Sequence, residues 1–170
     1  MSSSHRIGIA LGANLGDRLR SLTTARKHIF GLPKVIPPFL SSRVYETDPV
    51  ECETGAERFL NAAIEIGYED SPEQLLSQLQ KIEAALGRPA DHRRNHSRPI
   101  DLDLLYFGAC QIDEPGLQLP HPRLHLRGFV LCPLAEIRPH LVLPGQSQTV
   151  SELRAELTNR SSVVRASEQW

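Results

Sequence analysis

Two helix-length amphipathic stretches, each bracketed by short strand-like runs, restrict this chain to a small set of folds. Residues 14–32 (NLGDRLRSLTTARKHIFGL) place Leu15, Leu19, Leu22, Ala25 and Ile29 at steps of three and four, on one helical face. Asn14 is the expected cap, Asp17 suits the positive end, and Gly31 and Pro33 stop the helix. Residues 71–88 (SPEQLLSQLQKIEAALGR) repeat the pattern with Leu75, Leu76, Leu79, Ile82 and Leu86, after a Ser71–Pro72 start and before Gly87. Strand-like runs cover residues 7–12, 39–47, 58–69 and about 100–107. The order β-α-β-β-α-β is that of a ferredoxin-like α+β sandwich, a mainly antiparallel sheet with its helices on one face. Further helices are predicted at about 126–137 and 149–157, as additions to that unit.

With 170 residues the chain fits one domain. Hydrophobic residues make up 40% and charged residues 23%, which suits a packed core. The net charge of −1 provides no global field for nucleic acid or an anionic membrane, so neither is an expected partner. No apolar run approaches the ~20 residues that span a bilayer. The N-terminus lacks a secretory pattern. Cys52, Cys110 and Cys132 form no CxxC pair, so a reducing cytoplasm is the simplest compartment.

The charge that demands explanation lies in RRNHSRPIDLDLLYFG, residues 93–108. Asp101 and Asp103 interrupt an apolar strand. Residues two apart share a strand face, so the carboxylates project together with Cα atoms about 6.7 Å apart, while Ile100, Leu102 and Leu104 face the core. Paired carboxylates repel unless cations offset them. Magnesium does so with one or two carboxylates and takes its other ligands from water and phosphate. Arg94 and Arg98 stand ready for phosphate charge. The bland alternative is a solvated strand face with an Asp–Arg ion pair.

Other features carry less. GANLGD, residues 12–17, lacks the spacing and lysine of a phosphate loop and reads as a tight turn before a capped helix. His92/His96 and His121/His125 have helical zinc spacing, but neither pair supplies four ligands. Asn61 interrupts an apolar strand, so its amide needs a partner: a neighbouring backbone, or the edge of a flat polar ring.

Taken together, LGANLGDR, YETDP, RFLNAAIEI, LQKIEAALGR, SRPIDLDLLYFG and LPHPRLHLRGFVLCPLAEI resemble the 6-hydroxymethyl-7,8-dihydropterin pyrophosphokinase family of folate biosynthesis, in order and spacing from about Ile7 to Pro139. The resemblance implies pyrophosphoryl transfer from ATP to the hydroxymethyl group of a reduced pterin, with release of AMP, by a monomer. It implies that Asp101 and Asp103 hold two magnesium ions, and that Arg88, Arg94 and Arg98 cover the phosphates. It implies a nucleotide site near Glu83, Leu104, His121 and Arg127. Thr47, Asp48, Val50, Phe59, Asn61 and Phe129 would line a pterin pocket, with Asp101 close by. Residues 48–57 and 88–99 are candidate lids. The chain departs from the family pattern at Ala13, Ala90, Asn95, His96 and Pro122. The rival readings are a ferredoxin-like binding module without chemistry and a divalent-metal phosphohydrolase.

Overall fold

A computed structural model describes residues 4–50, 52–89, 96–157, 163–167 (main chain only) and 170. The elements are β1 (His5–Ala13), α1 (Arg18–Phe30), β2 (Val35–Ser41), β3 (Val44–Thr47), β4 (Phe59–Tyr68), α2 (Pro72–Ala85) and β5 (Asp101–Phe107). A hairpin of β6 (Ile112–Glu114) and β7 (Leu117–Leu119) follows, then a 3-10 turn (Leu124–Leu126), α3 (Gly128–Ile137), α4 (Val150–Glu156) and β8 (Val163–Ser167). The main sheet runs β5-β1-β4-β3-β8, with β2 also paired to β4. Every pairing in it is antiparallel. Counting β2 and β3 as one split strand, the order fourth–first–third–second is the ferredoxin-like order expected.

The split has a local cause. The Ser42 Oγ accepts from Ala63 N at 2.9 Å and donates to Arg43 O at 2.7 Å, taking over a ladder position. Pro37 and Pro38 have no N–H to donate, and the β2–β4 register shifts between Ile36 and Leu40. Helix α2 begins as predicted, with Ser71 Oγ accepting from Gln74 N and Pro72 in the first turn. Gly87, at φ 94°, lies just past its end. Helix α1 is capped by Asp17, whose carboxylate accepts from Arg20 N, and not by Asn14 as expected.

Both faces of the sheet are covered, which corrects the one-face expectation. One core joins Ile7, Ile9, Leu11, Ile64 and Ile66 to Leu22 and Ile29 of α1 and Leu75 and Leu79 of α2. The other sets Ala63, Leu105 and Tyr106 beneath Leu131 and Leu134 of α3 and Val150 and Leu153 of α4. β4 is buried along nearly its whole length, because both its faces meet helices. Its near-continuous apolar run is the sequence mark of that position.

The second face also holds an ion cluster. Glu65 is fully buried and accepts from Tyr106 Oη at 2.5 Å, from Arg6 Nε at 2.6 Å and from Arg138 Nη1. Tyr106 reaches it across Gly8, where a Cβ would stand 2.2 Å from the Tyr106 ring.

Candidate active site

β1 ends where β4 and β5 begin, and the polar residues of all three strands meet there on the α3 side of the sheet. Gly12 is paired with Asp101 on one side and Asn61 on the other, and Ala10 is paired with Asp103. Directly opposed residues share a face. Asp101, Gly12 and Asn61 therefore form one row, with Asp103 one step along. These residues line a cavity of about 300 Å³. Thr47 and Phe59 close one side, and Arg127 and Phe129, at the start of α3, close another.

The carboxylates occupy different electrostatic settings. Asp101 accepts from Arg88 Nη1 at 2.5 Å through Oδ1 and from Arg98 Nη1 at 3.1 Å through Oδ2. Among the described residues, the ion-pair partner of Asp103 is Arg127, at 3.9 Å. Burial, and then the Asp101 charge, push the Asp103 carboxyl up to about 7. A third of its side chain is open to the cavity, so solvent tempers this shift without reversing it.

Behind this pair, Glu83 anchors the arginine wall. Its Oε1 accepts from Arg88 Nη1 at 2.5 Å and from Leu102 N at 2.7 Å. Burial raises the Glu83 pKa against these lowering contacts. Arg88 is nearly buried, and its Nε has no hydrogen-bond partner among the described residues. An unpaired buried N–H beside a cavity is a donor waiting for an acceptor. His121 is held near pKa 4, first by burial and then by Arg127 and Arg123. Its Nδ1 accepts from Arg123 N, which leaves Nε2 carrying the proton as a neutral donor.

The opposite wall is less charged. Asn61 Nδ2 donates to Thr47 Oγ1 at 2.6 Å, both groups being buried. Asn61 Oδ1 lies above Gly12, where an added Cβ would be 2.9 Å away. Phe59 and Phe129 add aromatic surface, and the Arg127 guanidinium stands 5.4 Å from the Phe129 ring centre. Asp48 is tied to Arg58 at 3.0 Å, and Val50 is partly exposed at the rim.

Of the residues expected in the site, Arg88, Arg98, Asp101, Asp103, His121 and Arg127 line the cavity. So do Thr47, Asp48, Val50, Phe59, Asn61 and Phe129. Glu83 does not line it and acts on it through Arg88. The Leu104 side chain does not line the cavity: it is packed in the α1–α2 core, because strand alternation turns it away from Asp103. Arg94, Ala90 and Asn95 lie outside the described residues. Sequence reading missed Gly12, Arg123 and Cys52 as lining residues, and Asn14 as a buried one. A glycine inside a strand was the available signal for Gly12, since it marks a close approach. No group of three or more metal-ligating side chains gathers among the described residues.

A family model described as 7,8-dihydro-6-hydroxymethylpterin-pyrophosphokinase matches residues 8–139. The chain belongs to this family. A 2-amino-4-hydroxy-6-hydroxymethyldihydropteridine pyrophosphokinase from Methylorubrum extorquens is 41% identical over 89% of this chain and 93% of its own length. The Bacillus subtilis protein of that name is 45% identical over 76% of this chain and 75% of its own. A mitochondrial folate synthesis bifunctional protein of Arabidopsis thaliana is 41% identical over 80% of this chain, which spans 24% of that longer protein. Among solved structures, wild-type Plasmodium falciparum HPPK-DHPS with pteroate matches with a TM-score of 0.69 at 15% identity. That match covers 92% of this chain and 43% of the other, and it supports the fold.

Proposed function

We infer that the cavity transfers the pyrophosphoryl group of ATP to the hydroxymethyl oxygen of 6-hydroxymethyl-7,8-dihydropterin and releases AMP. In a chain of this pyrophosphokinase family, one observation carries the assignment of the site. The Asp101–Asp103 pair, its arginine partners Arg88, Arg98 and Arg127, and the amide and aromatic groups of Asn61, Phe59 and Phe129 line one cavity. Phosphoryl transfer needs placement and charge neutralisation more than covalent help.

The donor set fits magnesium that arrives with its nucleotide. Two carboxylates with no third protein ligand among the described residues suit an ion that completes its shell with phosphate and water. When bound, the metal neutralises charge on the phosphate chain, and we assign two ions to the aspartate pair. The arginines that hold Asp101 in the free protein then have phosphate to turn to. Arg88 remains anchored by Glu83 and has its unused Nε to offer. Neutral His121 and Arg127 contact the nucleotide side. Arg94 is assigned to the phosphates by the family pattern alone. Thr47, Asp48, Val50, Phe59, Asn61 and Phe129 take the pterin. A monomer in the cytoplasm is the simplest form of the enzyme; among the described residues no helix is long and apolar enough to cross a membrane.

With ATP, magnesium and the pterin, AMP should appear in step with pterin consumption. Phosphate release without loss of pterin would instead identify a phosphohydrolase. Gly12→Ala tests the pterin wall. Asn61 is held by Thr47, so the added methyl displaces its amide. The KM for pterin should rise about tenfold, the worth of roughly one hydrogen bond, while the KM for ATP stays within about twofold. Steady-state kinetics with each substrate varied in turn will check this.

A further inference from the structure

Asn14 is fully buried, yet it is not the helix cap. Its side chain and main chain instead grip a segment 84 positions away. Asn14 Oδ1 accepts from Arg98 N at 2.7 Å, and Asn14 N donates to Arg98 O at 3.1 Å. Both main-chain polar groups of Arg98 are thereby held by one residue. Asn14 Nδ2 donates to Ser97 Oγ at 3.0 Å and to Glu57 O at 3.2 Å. One amide thus uses its oxygen and both hydrogens to join the end of β1 to the two segments that flank the cavity. Glu53 adds a second tie between those segments, its Oε1 accepting from Ser97 N at 2.9 Å.

We propose that Asn14 is a positioning residue for catalysis. It fixes the main chain of Arg98 so that the guanidinium, 3.1 Å from Asp101, is already aimed at the place the phosphates occupy. Arg98 lies three residues before β5, its Nε is satisfied by the carbonyl of neighbouring His96, and among the described residues its main-chain N and O both bond to Asn14. The side chain of Asn14 never reaches the cavity, and its effect passes through Arg98. The proposal rests on the reaction assigned above, with Arg98 as its phosphate-binding group.

The test is a double-mutant cycle on the purified enzyme, with AMP formation measured under saturating and limiting ATP. Asn14→Ala should lower kcat by about 10–100-fold, since misplacing a reacting group by about 1 Å costs on that order. The KM for pterin should stay within about twofold. In an Arg98→Ala background, the same substitution should cost less than about threefold. Equal losses in both backgrounds, or an unchanged kcat in the single variant, would overturn the proposal. Asn14→Asp keeps the size and the acceptor for Arg98 N and loses the donors, so it should recover most of the rate if Asn14→Ala folds poorly. A folded Asn14→Asp protein as slow as Arg98→Ala would also overturn it. Absence of AMP formation by the wild type would defeat the assigned reaction instead, and the two failures are distinct.

Discussion

Asp103→Asn should lower turnover at least ~10³-fold, about 4 kcal/mol of transition-state stabilisation, yet melt at or above the wild-type temperature. The two effects separate because the carboxylate serves the bound state alone. In the free protein Asp103 is crowded by Asp101 and desolvated, with Arg127 no nearer than 3.9 Å. Its pKa in the folded chain is therefore above that of the unfolded chain. Between the ordinary carboxylate range and about 7, the folded state binds more protons than the unfolded state. Stability accordingly falls as pH rises through that window, and asparagine should remove this part of the slope. Asp101→Ala should abolish turnover equally but lower the melting temperature, because it strips an acceptor from Arg88 and Arg98. A cost of about 1–3 kcal/mol corresponds to a drop of several degrees. Calorimetry at several pH values, beside rate measurements, checks both variants. Near-normal turnover in either would remove the metal role from this pair.

Glu65→Ala should be the most damaging stability change, at about 3–5 kcal/mol or roughly 10 °C in melting temperature. The loss comes less from the missing carboxylate than from what remains. The Arg138 side chain is only 26% exposed and loses its ion-pair partner, and Tyr106 Oη loses its acceptor inside the α3–α4 core. Arg6 is half exposed and can turn to water, so it contributes little to the penalty. Replacing Glu65, Tyr106 and Arg138 together by leucine, phenylalanine and methionine should recover most of the loss, since no buried polar group is then orphaned. The KM values of folded Glu65→Ala should stay within about twofold. Glu65 pairs with Gly8, whereas the cavity begins at Ala10 and Gly12. A melting temperature within a degree or two of wild type would show that the cluster adds nothing.

Much of the molecule was readable from local pattern. The helical steps of α1 and α2, the Ser71–Pro72 start and the two-residue alternation at Asp101 and Asp103 each depend on near neighbours alone. The same alternation set the Leu104 side chain toward the core and away from the cavity. Tertiary structure decided what local pattern does not encode. Asn14 has the chemistry of a helix cap and became a clasp on Arg98, because Asp17 took the cap. Gly12 looked like a turn residue and proved to be the gap that admits Asn61. Nothing local marks Glu65, within the strand-like run 58–69, as the centre of an ion cluster, yet folding placed two arginines and a tyrosine around it. Periodicity reports which side of an element avoids water. Which residue stands opposite depends on strand register and on chain separations of 40 to 80 positions or more, and only the assembled sheet sets those.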